Sequence, residues 1–233
     1  MNLFIPKNAT PPYQTVVYFP GSDANTQRSS RHLYLRWIEF FLKSGRAVAF
    51  PIYKGTYERG GPLPSGPAGW RDLTIYRVKD VRRTVDYLTT RNDIDGERLA
   101  YYGFSMGANM GPFVLAVEPR FKTGILVAGG VGRWVSLPEA AVLNFVSHVT
   151  LPVLMLSGRN DFMIPYETAQ KPFFERLGTP LKDKKHVVLE SGHLPSPWNE
   201  VIRETLEWMD RWLGPVNEPS EPDRLKPEAV SLG

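Results

Sequence analysis

The chain reads as an α/β fold, a mainly parallel sheet with helices on both faces. Three observations predict it. Strand-like and helix-like segments alternate from Thr15 to about Leu213, the pattern of repeated βα units. The strand-like runs are almost continuously apolar, as strands covered on both faces must be. The length of 233 residues, with 42% hydrophobic and 22% charged residues, suits one large domain with a substantial core.

The elements follow in order. Thr15-Val16-Val17-Tyr18-Phe19 is a β-branched and aromatic strand stopped by Pro20-Gly21. The short stretch before it has room for one strand, at Leu3-Phe4-Ile5, so the N-terminal strands are reduced. Leu33, Leu35, Ile38, Phe41 and Leu42 recur at helical spacing and predict a helix ending near Gly45. Ala47 to Ile52 is the next strand. Residues 53–69 form a long Gly/Pro-rich loop, and loops of that length usually serve function or move. Val78, Val81, Val85 and Leu88 mark a long amphipathic helix. Leu99 to Tyr102 is a strand, Ala108 to Val117 a helix, and Thr123 to Ala128 a further strand. Pro152 to Leu156 and His186 to Leu189 complete the sheet, with a helix over Tyr166 to Leu177 between them. Val201 to Leu213 supplies the last helix. The catalytic domain is thus residues 1–213, and the Pro-rich segment 214–233 is a disordered tail or a docking arm.

Composition excludes several functions. There are no cysteines, so disulfides, thiolate metal sites and a cysteine nucleophile are ruled out; a reducing, cytoplasmic setting is expected. No run of eighteen apolar residues spans a membrane. The net charge of +4 comes from scattered residues. Arg71, Arg77, Lys79, Arg82 and Arg83 read as a solvated helix face rather than a nucleic-acid surface.

Chemistry enters at Gly103-Phe104-Ser105-Met106-Gly107, which follows a strand and opens a helix. A serine in such a turn has strained backbone angles, and side chains two positions away on either side would collide with neighbouring chain. Its exposed hydroxyl sits at a helix N-terminus, where amides favour developing negative charge. A serine hydroxyl needs a base. Of the downstream histidines, His186 falls inside a strand and His148 at the wrong end of the sheet. His193 lies just past the C-terminal end of the last strand, where open parallel sheets gather their ligands. The acid should follow the preceding strand, and Asp161 does, 56 residues after Ser105 and 32 before His193. The oxyanion donors expected are the amide of Met106 and that of Ser22, with Asp23 as the fallback. Tyr53, Tyr57, Phe104 and Phe162 are candidate pocket residues, and Trp70 flanks the long loop. Val131 to Thr150 is too short for a large cap domain.

With these residues in this order, the chain resembles the α/β-hydrolase superfamily, in its dienelactone-hydrolase and prolyl-oligopeptidase-like esterase branch. Residues 12–22 and 53–59 resemble the C-terminal hydrolase domains of some bacterial multidomain proteins. The resemblance implies a Ser105–Asp161–His193 triad and serine carboxylesterase activity on short-chain acyl or aryl esters, with no metal and no cofactor. Dienelactone hydrolases carry cysteine at the elbow, so that activity is not expected. The rivals are a peptidase or amidase of the prolyl-oligopeptidase type and a catalytically idle binding module. The expected partner is a small-molecule ester, with no nucleic acid and no membrane; a homo-oligomer is allowed.

Overall fold

Seven strands form one sheet, in the order β1-β3-β2-β4-β5-β6-β7. The computed structural model describes residues 1–33, 35–132 and 136–217. β1 is Asn2–Phe4, β2 Tyr13–Phe19, β3 Ala47–Phe50 and β4 Ile94–Phe104. β5 is Phe121–Val127, β6 Val153–Gly158 and β7 Lys184–Leu189. All neighbours pair in parallel except β1, which runs antiparallel to β3 with Leu3 opposite Ala49. The single N-terminal strand expected from sequence is this one.

The sheet is covered on both faces. α2 (Gly66–Leu88), α3 (Met106–Leu115), α4 (Leu143–Val146) and α5 (Lys171–Arg176) lie on one side; α1 (Glu39–Lys43) and α6 (Trp198–Leu213) lie on the other. Alternation along β2 divides the core: Val17 and Phe19 join the first side, Val16 and Tyr18 the second. Each such aliphatic or aromatic side chain stabilises by about 1.5–3 kcal/mol when fully buried.

Three segments depart from the sequence reading. The helix expected over Leu33–Leu42 reduces to a 3₁₀ turn at Leu35–Trp37 and the single turn of α1. Packing overrides periodicity here. Phe40 and Phe41 both go into the core, while Trp37 stacks on Phe104 and meets Trp198 edge-on. The helix expected over Tyr166–Leu177 is a π turn, Tyr166–Gln170, followed by α5; Pro172 cannot donate a backbone hydrogen bond, so the ladder changes pattern there. α2 begins at Gly66, inside the predicted loop, with proline in its first turn. The shortened loop is strapped to α2: Lys54 N–H donates to Asp80, and Arg59 pairs with the same carboxylate.

The start of the expected tail is bound to the body. Gln14 Nε2 donates to the carbonyls of Gly214 and Pro215, and Thr10 N–H donates to Asn217 O. Gly214, at φ 75°, ends α6 in the left-handed region. Residues 218–233 lie outside the described residues. No helix among the described residues is long and apolar enough to cross a membrane.

His186 on β7 has a structural place. Its Nε2 lies 3.1 Å from Ser157 Oγ, and the rings of Tyr166 and Phe174 pack against it. Burial lowers its pKa from 6.5 to about 4. Between those values the unfolded chain carries the proton and the folded chain does not, so stability falls as pH drops from 6.5 to 4. Outside that window this residue contributes no slope. The full displacement corresponds to roughly 3 kcal/mol, reduced by the ring's partial exposure. Urea midpoints at pH 7 and pH 4.5 should show the acid loss in the wild type and a smaller loss in His186→Gln. Equal losses in both proteins would remove His186 as the cause.

Candidate active site

Ser105 stands between β4 and α3 with φ 50° and ψ −104°, a strained conformation for a residue with a side chain. The flanking glycines are forced by space. A Cβ at Gly103 would lie 2.4 Å from Gly107 O, and one at Gly107 would lie 2.2 Å from Phe19 O. Ser105 N–H donates to Val127 O and Gly107 N–H to Pro20 O, so the turn is pinned to both neighbouring segments.

The loop after β7 brings His193 Nε2 to 2.8 Å from Ser105 Oγ. His193 Nδ1 is 2.7 Å from Asp161 Oδ2. Asp161, 2% exposed, uses its other oxygen to accept the N–H groups of Met163 and Ile164. The turn-capping role and the histidine contact are thus both present, on different oxygens of one carboxylate. The acid turn and the histidine loop are also joined directly, because Arg159 N–H donates to Leu189 O and Asn160 N–H to Ser191 O.

Beside this row, the 3₁₀ turn Ser22–Asn25 reaches the start of α3 through Asn25 Nδ2, 3.5 Å from Met106 Sδ. Among the described residues, no protein acceptor takes the N–H of Ser22 or of Met106. Both amides are available to a ligand oxygen, whereas Gly107 N–H is spent on Pro20.

A cavity of about 420 Å³ opens over Ser105 and His193. Tyr57 and Phe104 line it, together with Tyr18, Trp37, Met163 and Leu194. Two candidate pocket residues do not. Tyr53 is buried in the core, stacked on Phe19 with its hydroxyl donating to Tyr18 O; the loop turns it inward. Phe162 is 82% exposed, because the chain at Asp161 turns its side chain outward. Trp37, which the sequence did not single out, lies within the stretch expected to be one helix and falls instead in a 3₁₀ turn. A larger groove of about 640 Å³ lies beside β1, between Leu3, Ile52 and Tyr87, away from the Ser105–His193 contact. Among the described residues, no three His, Asp or Glu side chains converge as metal ligands would.

Arg77 also departs from the expectation. It is 3% exposed rather than part of a solvated face. Its guanidinium donates to Lys54 O, Asn25 Oδ1 and Met106 Sδ.

A seven-stranded, mostly parallel sheet bearing a strained serine between strand and helix places the chain in the α/β-hydrolase superfamily. The family model described as PET hydrolase-like matches residues 67–218, and the chain belongs to that family. Among curated proteins it is similar to the uncharacterized peptidase YuxL of Bacillus subtilis strain 168, at 22% identity over 216 residues. That match covers 78% of this chain and 32% of the relative, so the chain spans about a third of its length. Among solved structures it is similar to a cold-adapted esterase from an Arctic intertidal metagenomic library, with TM-score 0.68 and 21% identity over 89% of this chain and 85% of that one. TT1662 from Thermus thermophilus gives TM-score 0.71 and 19% identity over 91% and 92% of the two chains. At these identities the likenesses establish the fold.

Proposed function

We propose that this chain is a serine carboxylesterase hydrolysing short-chain acyl esters, including aryl esters, through an acyl-enzyme. The observation that carries the proposal is the continuous row Asp161–His193–Ser105, with contacts of 2.7 and 2.8 Å. In this reading His193 takes the hydroxyl proton as Ser105 attacks the ester carbonyl, then returns it to the leaving alcohol. Water activated by the same imidazole releases the acid. Asp161 holds the ring so that Nε2 faces the serine and stabilises the imidazolium; it does not accept the proton. The amides of Met106 and Ser22 receive the developing oxyanion, each worth about 3–4 kcal/mol to the transition state. The aromatic walls, Trp37, Tyr57 and Phe104, favour an aryl group on either side of the ester. The chemistry calls for no metal or cofactor.

The peptidase named among the relatives keeps amide hydrolysis as the second reading. Parallel assays separate the two. Rates on p-nitrophenyl acetate, butyrate and benzoate should exceed those on p-nitroanilide analogues of the same acyl groups by at least ~10³-fold. Comparable rates on both series would replace the esterase reading with the amidase one. No turnover of either series, with no labelling by a fluorophosphonate, would favour an idle module.

A further inference from the structure

We infer that Arg77 is a positioning residue for the oxyanion-binding amides, holding both of their segments through side-chain contacts. The inference rests on the hydrolase reading of Ser105 and concerns a residue outside the Ser–His–Asp row.

Arg77 comes from the middle of α2, far in sequence from the elbow, yet three separate segments converge on it. Nη2 donates to Asn25 Oδ1 at 2.7 Å, Nη1 approaches Met106 Sδ at 3.1 Å, and Nε donates to Lys54 O at 3.0 Å. Asn25 Nδ2 in turn reaches Met106 Sδ at 3.5 Å. Asn25 closes the turn that begins with Ser22, and Met106 supplies the other candidate oxyanion amide. One planar guanidinium therefore sets the spacing between the two donors, which must converge on one oxygen.

The charge balance separates this from ordinary loop stapling. Among the described residues, the other deeply buried arginine, Arg46, is paired with Asp210. Arg77 has no carboxylate within ion-pair distance among the described residues. Asp80, one turn on, spends its oxygens on Lys54 N–H and Arg59. Burial lowers the Arg77 pKa to about 10, against the opposing pull of the nearby Asp80 carboxylate. A buried cation with neutral partners is costly to keep.

The test uses Arg77→Met and Arg77→Lys in the full chain, measuring kcat and KM on p-nitrophenyl butyrate, affinity for a trifluoromethyl ketone, and melting temperature. For Arg77→Met, kcat should fall about 10- to 100-fold with KM within about threefold. The ketone, which forms an oxyanion on the serine, should weaken by the same factor as kcat/KM. Arg77→Lys should recover part of both, since it restores charge but cannot span three acceptors. A kcat within threefold of wild type, or a lowered kcat with unchanged ketone affinity, overturns the inference. Should Arg77→Met fail to fold, Asn25→Ala breaks the same link from the half-buried side. It should show the same paired loss at about five- to tenfold, and no loss in either quantity overturns the inference. A wild-type protein inactive on esters sinks the esterase reading and this inference with it. An active wild type with insensitive variants sinks the inference alone.

Discussion

Ser105→Ala is expected to lower kcat on p-nitrophenyl butyrate by about 10⁵- to 10⁶-fold while leaving the melting temperature within a few degrees. Removing Oγ deletes the atom that faces His193 Nε2 at 2.8 Å, and among the described residues no other hydroxyl pairs with that nitrogen. The turn survives because its geometry is fixed by Gly103, Gly107 and the hydrogen bonds of Ser105 N–H and Gly107 N–H, none of which uses the hydroxyl. A residual rate of roughly 10³- to 10⁴-fold over water should remain, from the oxyanion amides and substrate binding. Steady-state rates should be paired with mass-spectrometric localisation of a fluorophosphonate adduct. The adduct should map to Ser105 in the wild type and vanish in the variant. A variant rate within tenfold of wild type, or an adduct at another serine, would remove Ser105 from the chemistry.

The parts legible in the sequence are those whose signals are local. Apolar runs mark the strands because burial on both faces leaves no alternation, and the glycines around Ser105 mark the elbow because backbone atoms lie within 2.4 Å of any added Cβ. Asp161 and His193 could be placed because each directly follows a strand, so element order alone assigns them to one edge of the sheet. What was not legible depends on contacts between distant segments. Arg77 looked like a solvated cation because its acceptors stand at positions 25, 54 and 106. Tyr53 looked like a pocket aromatic, but a ring stacked 3.8 Å from that of Phe19 turns it inward. Trp37 carried no local signal: it reaches the cavity because its stretch forms a 3₁₀ turn and stacks on Phe104, a contact between distant segments. Gly158 gave no sign of its role at all.

Gly158→Ala is expected to be the most damaging single methyl addition outside the elbow. Gly158 ends β6, three residues before Asp161, and an added Cβ would lie 1.9 Å from Gly192 O and 2.5 Å from Ser191 O. Both atoms are backbone of the loop that carries His193, so no side-chain rotation relieves the overlap. The strands must separate at the point where Arg159 N–H and Asn160 N–H tie the two loops together. Separation by even about 1 Å lengthens the 2.7 Å contact between His193 Nδ1 and Asp161 Oδ2 and lets the ring leave Ser105. Two losses should therefore appear together. Stability should drop by more than ~3 kcal/mol, in the range of backbone overpacking and lost hydrogen bonds. In the protein that still folds at low temperature, kcat should fall toward the roughly 10⁴-fold deficit seen when a triad acid no longer orients its histidine. Urea denaturation and kcat at 10 °C test the pair. A variant with near-wild-type midpoint and rate would show that the acid and histidine loops are not held in register at this glycine, and that fold and site are not coupled through it.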